Sequence, residues 1–349
     1  MPKSKLAFGL RIFTALLGGA FLVAAMQSPA GAQQRKSLRW MTSAVGSYGY
    51  AAATSITKIV ENALGGEYAV TIEPYPSTTL SMRTVMDGYG EIAYTADLGM
   101  TEFDRRVGGF KNYQPRKAEI AHTWYAYPME SMMATLASHA KFKCWRDFSG
   151  EPVFYTNGGF VHWLNWQRIF DTLGYKLKHV QIDLGANTRA LQQGTIVGSA
   201  IYTIAGVSLP AYWKETESRL AIRIVNPCPD EIAAIKAKGL AVVDVDPKAA
   251  FAKDVGPSTL QGVPILFGYN ARRDVPEETI YRLLSALYNE RDNLVKLNAG
   301  FAPMAKDFVG MQVNGISANP QMAVHPGLAR FLIEHKAWNE KWKIAASNI

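Results

Sequence analysis

Two hydrophobic periods take turns along most of this chain. Leu38-Arg39-Trp40-Met41-Thr42 has the short apolar run of a strand, and Ser43-Ala44-Val45-Gly46-Ser47 follows as a small-residue turn. Over residues 48–64 the period lengthens: Ile56, Ile59, Val60 and Ala63 share one helical face, and Gly65-Gly66 closes the helix. Residues 68–73 alternate as a strand that Pro74 and Pro76 break. Ser77 has the chemistry of an N-cap for a helix running to Asp87-Gly88, because its hydroxyl accepts from a free first-turn N–H. Residues 91–95 predict another strand. The same order restarts past residue 140. It runs through a strand at 152–156, the turn Asn157-Gly158-Gly159, a helix over 160–173 stopped by Gly174, and a strand at 179–183. A short helix over 188–193 stopped by Gly194 and a strand at 199–202 complete it. From about Val275 the pattern is mostly helical, with Pro276 at a first turn and an amphipathic run to Tyr288. Strands and helices alternating at this spacing form parallel βαβ units, hence an α/β fold of two similar lobes.

The N-terminus has a different pattern. Residues 1–32 contain Lys3, Lys5 and Arg11 and no acid, then an uncharged run from Ile12 to about Ala25, then Ser28-Pro29-Ala30-Gly31-Ala32. This is the layout of a secretory signal peptide cleaved before Gln33. As a helix the apolar run would reach only about 21 Å against a ~30 Å hydrocarbon core, too short for an anchor. The expected organisation is therefore a signal peptide at 1–32, a first lobe at 33–137 completed by 263–349, and a second lobe at 138–262. No later stretch reaches 18 apolar residues without a charge, so a soluble protein exported to the periplasm is expected.

Composition narrows the classes. The 349 residues are 48% hydrophobic and 19% charged, which excludes a disordered chain. The formal net charge of +8 loses three basic residues with the signal peptide, and the 34 Lys+Arg and 29 Asp+Glu that remain form no basic stripe. Nucleic acid is not an expected partner. Cys144 and Cys228 exclude a disulfide-dense scaffold and a four-cysteine zinc site. In an oxidising compartment they either bridge a loop of ~85 residues or remain two buried thiols.

Catalytic signatures are missing. The chain has no His-Glu-x-x-His, Gly-x-Ser-x-Gly, Walker or dinucleotide glycine motif, and His122, His139, His162, His179, His325 and His335 are scattered. No catalytic residue, metal or cofactor is expected. The recurring features are strand-to-helix turns rich in small polar residues: Gly46-Ser47-Tyr48-Gly49, Ser77-Thr78-Thr79, Asn157-Gly158-Gly159-Phe160 and Asn187-Thr188. Each is either an ordinary cap or an anion site, since helix N-termini present free N–H groups and a positive dipole end. Together, at the carboxyl ends of strands in two lobes, they favour a small anion. Tyr48, Tyr50, Tyr75, Tyr94, Tyr155 and Tyr202 accompany the turns, either as core or as pocket walls with hydroxyl tips. His162 reads as a packing or surface histidine more than a ligand contact. Glu73 and Asp97 either receive an ammonium group or serve as caps.

The segments Ser43-Ala44-Val45-Gly46-Ser47-Tyr48-Gly49-Tyr50 and Val70-Thr71-Ile72-Glu73-Pro74-Tyr75 with Ser77-Thr78-Thr79 resemble the TAXI family of TRAP-transporter solute-binding proteins. So does Val324-His325-Pro326-Gly327-Leu328-Ala329-Arg330-Phe331. The family's common Gly-x-Ile-Asp-Ala-Ala stretch is replaced here by Gly194-Thr195-Ile196-Val197-Gly198-Ser199-Ala200. The resemblance implies a type II periplasmic binding fold that closes over a small organic acid or amino acid and delivers it to a sodium-coupled membrane permease. It implies ligand contacts at Gly46, Ser47, Tyr48, Ser77, Thr78, Thr79, Asn157, Gly158, Gly159 and Phe160, with Tyr94 and Thr203 near strand ends. Asn187 joins them from the turn pattern. A monomer is expected; a periplasmic sensor feeding a membrane kinase and an exported enzyme are the alternatives.

Overall fold

The computed structural model describes residues 35–346; the expected signal peptide and its cleavage point before Gln33 lie outside the described residues. The first half of the rhythm appears as β1 (Lys36–Met41), α1 (Tyr48–Ala63), β2 (Tyr68–Glu73), α2 (Thr78–Met86), β3 (Ile92–Ala96) and α3 (Asp97–Asp104). The Ser47 hydroxyl caps α1 by accepting from Tyr50 N at 3.4 Å, and Ser77 caps α2 by accepting from Leu80 N at 3.0 Å. Ala52, Ala53, Ile56 and Val60 form the buried face of α1. Both strand pairs, β1 with β2 and β1 with β3, are parallel.

A 12-residue strand, β4 (Tyr125–Leu136), leads into the second half: β5 (Val153–Phe154), α4 (Val161–Leu173), α5 (Asn187–Gln192), β6 (Gly198–Ile204) and α6 (Ala211–Arg219). Then come β7 (Ile222–Val225), α7 (Pro229–Ala237), β8 (Val243–Val245) and α8 (Pro247–Ala250). A second 12-residue strand, β9 (Leu260–Ala271), leads back. Five α-helices follow it among the described residues: α9 (Glu277–Asn289), α10 (Arg291–Leu297), α11 (Ala302–Lys306), α12 (Phe308–Ala318) and α13 (Pro326–Glu334). Gly174 ends α4 in the left-handed region at φ +70°. The expected strand at 179–183 is reduced to a parallel bridge between Val153 and His179. Its partner β5 is only two residues long, and Thr156 at φ +71° turns the chain out of the extended region.

The sheet order is β2-β1-β3-β9-β4-β6-β5. β9 runs antiparallel to β3 through Phe267–Ala271 and antiparallel to β4 from Val263 to Gly268. β4 in turn pairs with β6 from Met129 to Ala134 and with β7 from Met133 to Leu136. These two strands thus join a β1–β3 lobe to a β5–β7 lobe, giving two α/β lobes. Each carries an internal proline, Pro128 opposite Leu266 and Pro264 opposite Glu130, where a ladder N–H is missing. No helix among the described residues is long and apolar enough to cross a membrane.

In the second lobe Phe142 stacks on Phe148 at 4.4 Å, and Trp145 meets Trp166 edge-on at 4.9 Å. Beside this core Cys144 and Cys228 form a disulfide with their Cα atoms 5.3 Å apart. Buried Glu231 accepts from Cys228 N at 2.6 Å and Arg146 N at 2.7 Å, so one carboxylate caps both chain turns next to the bridge. The C-terminal helices finish the first lobe. Tyr68 and Thr279 hydroxyls lie 3.1 Å apart, and Arg282 Nη2 donates to Ala63 O at 2.7 Å. His325, in the stretch that resembles the family, accepts from Gly327 N through Nδ1 and donates through Nε2 to Val275 O. It is a cap for α13 and takes no part in the cleft described below.

Closing a loop of 84 residues' separation contributes about 4 kcal/mol in the chain-entropy model. Reducing the bridge, or the double substitution Cys144→Ser with Cys228→Ser, is expected to lower the calorimetric Tm by several degrees. An unchanged Tm in the reduced protein would refute that contribution.

Candidate functional site

The two lobes meet over a small, partly open cavity. From the first lobe it is lined by Ser43, Ser47, Tyr48 and Gly49 at the β1–α1 turn, Thr78 at the start of α2, and Tyr94 of β3. The crossing strands add Met129 of β4 and Phe267 of β9. The second lobe adds Thr156 after β5, Phe160, Val161 and His162 at the start of α4, and then Leu184 and Tyr202. The centre of a water molecule fits within about 20 Å³ of this cavity. That is room for roughly one water, so the lobes stand close together here and a larger guest requires them to part.

The N-termini of α1 and α4 both open on this space. Phe160 precedes α4 without any side-chain cap, leaving first-turn N–H groups without a helix partner. His162, in that first turn, is 3% exposed. Its Nε2 accepts from the Trp166 indole N–H at 3.1 Å, which places the proton of the neutral ring on Nδ1, and Nδ1 has no partner. Burial lowers the imidazole pKa from 6.5 to about 3, so the ring stays neutral at physiological pH. The Thr156 hydroxyl, on a residue 2% exposed, also lacks a partner. A β-branched residue at φ +71° stores ~1–3 kcal/mol of strain, a cost met mostly at functional positions. Opposite these, the Ser43 and Ser47 hydroxyls share one hydrogen bond of 2.5 Å.

The aromatic walls differ from the expected arrangement. The Tyr48 hydroxyl donates to Asn298 Oδ1 and accepts from Gly300 N at 3.0 Å, while the Tyr94 hydroxyl is bonded to that of Tyr127 at 2.9 Å. Burial raises both phenol pKa values. These two tyrosines therefore offer the cavity ring surface, their hydroxyl tips being held by the scaffold. Tyr94 stacks on Phe267 at 5.0 Å, and Tyr202 meets His162 edge-on at 4.8 Å. Gly49 makes this packing possible: a Cβ there would come within 2.6 Å of the Tyr94 ring.

Five of the thirteen residues singled out from sequence line the cavity: Ser47, Tyr48, Thr78, Tyr94 and Phe160. Ser77, Thr79 and Gly159 lie on a more open groove beside it, next to Arg83 and Trp163. Gly46 shapes its turn at φ +85°. Asn157 and Gly158 tie theirs to the neighbouring segment, by Asn157 Nδ2 to Ile182 O and Gly158 N to Gln181 Oε1. Asn187 and Thr203 are held away from the cavity. Asn187 bridges Ser199 and Thr216, and Thr203 donates at 2.7 Å to buried Glu130, which also accepts from Gly206 N. Asp97 accepts from Leu98 N at 2.7 Å; burial raises its carboxyl to about 6 against the pull of Arg168 on α4. Neither Asp97 nor Glu73 lines the cavity. Ser43, Gly49, Met129, Thr156, Val161, Leu184 and Phe267 enter from the structure. Of these Ser43 and Gly49 carried a sequence signal, Ser43 four residues before Ser47 in the small-residue turn and Gly49 as the last residue of the Gly46-Ser47-Tyr48-Gly49 turn.

No family model matches the chain, and no curated protein sequence matches it. Solved structures do. The malate-bound MatC protein from Rhodopseudomonas palustris gives a TM-score of 0.51 at 14% identity, over 81% of this chain and 98% of its own. A putative L-cystine ABC transporter from Listeria monocytogenes gives 0.47 at 12% identity, over 76% and 95%. The periplasmic aliphatic sulphonate binding protein SsuA from Escherichia coli gives 0.44 at 14% identity, over 88% and 96%. The fold is that of the type II periplasmic binding proteins, two α/β lobes with the cavity between them.

The buried imidazole has a pH signature. Below pH 6.5 the unfolded chain takes up a proton at residue 162 that the folded protein refuses until about pH 3, so stability is lost as pH falls through this window. Asp97, raised to about 6, and Glu102, raised to about 7, act in the opposite direction and are shared by any variant at position 162. The drop in Tm between pH 7 and pH 5 is therefore expected to be smaller in His162→Gln than in the parent. An equal or larger drop by scanning fluorimetry would count against a neutral His162.

Proposed function

We propose that this protein is a periplasmic solute-binding protein that captures a small organic-acid anion or amino acid between its lobes. It hands the ligand to the membrane subunits of a TRAP-type transporter, as the resemblance to the TAXI family implies. The lobes are assigned to 33–137 with 263–349 and to 138–262, behind a signal peptide at 1–32. The protein works as a monomer, and no catalysis is assigned to it. One observation carries the ligand-binding part: helix N-termini from both lobes meet at one cavity beside two buried donors without partners, His162 Nδ1–H and the Thr156 hydroxyl. An anionic oxygen placed there satisfies those donors and gains from both helix dipoles. Closure around it excludes water and strengthens each hydrogen bond.

A melting screen of the purified mature protein over amino acids, dicarboxylates, 2-oxo acids and aromatic acids tests this. At least one acid is expected to raise the Tm, by mass action on the folded state, and to be recovered chemically unchanged after long incubation. No shift across the whole panel would sink the small-anion reading, and conversion of the ligand would favour an exported enzyme.

A further inference from the structure

The chemistry of the cavity wall restricts its guest further than the fold does. No Asp, Glu, Lys or Arg is among the lining residues. Donors are in surplus: His162 Nδ1–H and the Thr156 hydroxyl have no partner, and the Ser43–Ser47 pair uses only one of its two hydroxyl protons within itself. A single carboxylate accepts several such bonds. An ammonium group on the same ligand finds no acid on this wall; Glu102, with one carboxylate oxygen unpartnered, lies on the neighbouring groove with Ser77 and Thr79. Asp97 is turned to its own helix start, and Glu130 is committed to Thr203 and Gly206. Burying that unpaired cation opposes binding. A second carboxylate fares little better, because beyond the Ser43–Ser47 pair the wall adds only the Thr78 hydroxyl to its ring faces and apolar side chains, with the Tyr48 and Tyr94 hydroxyls already held. The stacked Tyr94–Phe267 pair, and Tyr202 packed edge-on against His162, give the wall ring surface suited to a flat apolar body once the lobes part.

We infer that the cleft selects a monocarboxylate with an aromatic body and no amino group, held at its carboxylate by His162 Nδ1–H and the Thr156 hydroxyl. This rests on the small-anion reading above and names the class of anion.

The test uses three matched probes on the mature protein, followed by calorimetry and melting: phenylacetate, phenylglycine (the same acid with an α-amino group) and phenylacetamide (the same body without the charge). Phenylacetate is expected to bind and raise the Tm, with phenylglycine and phenylacetamide each more than tenfold weaker. His162→Phe keeps the ring and removes the donor, and is expected to weaken phenylacetate at least tenfold. Thr156→Val removes only a hydroxyl and is expected to weaken it several-fold, and it serves as the readout if the histidine variant does not fold. Phenylglycine or succinate binding as tightly as phenylacetate would overturn the assigned class while leaving the solute-binding reading in place. Unchanged phenylacetate affinity in the folded variants would overturn the assigned donors. If neither these probes nor any acid of the wider panel binds, both readings fall together.

Discussion

The antiparallel pairing of β4 with β9 is the constraint on which the rest of the molecule depends. One end of β9 extends the β1–β3 sheet, and the far end of β4 extends the sheet of β5–β7. Because these strands pass from one lobe to the other, the lobes face each other across them, and Met129 and Phe267 become the floor of the cavity. The same strands carry Pro128 and Pro264, so their ladder is thinned where the lobes join. A joint with fewer hydrogen bonds suits two rigid bodies that must part to admit a guest larger than one water.

What surrounds the cavity separates scaffold from recognition. The phenol groups of Tyr48, Tyr94 and Tyr127, with Tyr269 donating to Gly49 O at 2.7 Å, form a buried network that fixes the rings. The groups left over are His162, Thr156 and the open start of α4. The left-handed Thr156 and the unpaired imidazole proton of His162 both break ordinary rules of stability within one short segment, residues 156–162. Such concentrated exceptions mark the place where a protein has been shaped for something other than its own folding.

The local elements were largely legible in the sequence. Ser47 and Ser77 as caps, Gly174 as a stop and the helical spacing of Ile56 and Val60 all act within a few residues, so their physics is written locally. The crossing strands were not legible. β4 is buried on both faces and contains Pro128 and Glu130, so it lacks both the alternation and the composition that announce a strand. The site was half legible for a related reason. A threonine or asparagine near a strand end looks alike in sequence whether it awaits a ligand or serves a buried carboxylate, and Thr203 does the latter. His162 belongs to a buried helical face and so reads as packing. Only the Trp166 indole one turn on shows which nitrogen is left free.

The return of the chain through β9 also sets a timetable. The β5–β7 lobe with its disulfide is one continuous stretch of polypeptide, finished before the last quarter of the chain has been synthesised. The opposite lobe must wait. Tyr68 finds Thr279, the end of α1 finds Arg282, and Tyr48 finds Asn298, each partner more than 200 residues later. A nascent chain therefore carries its first lobe unfinished until its final helices emerge.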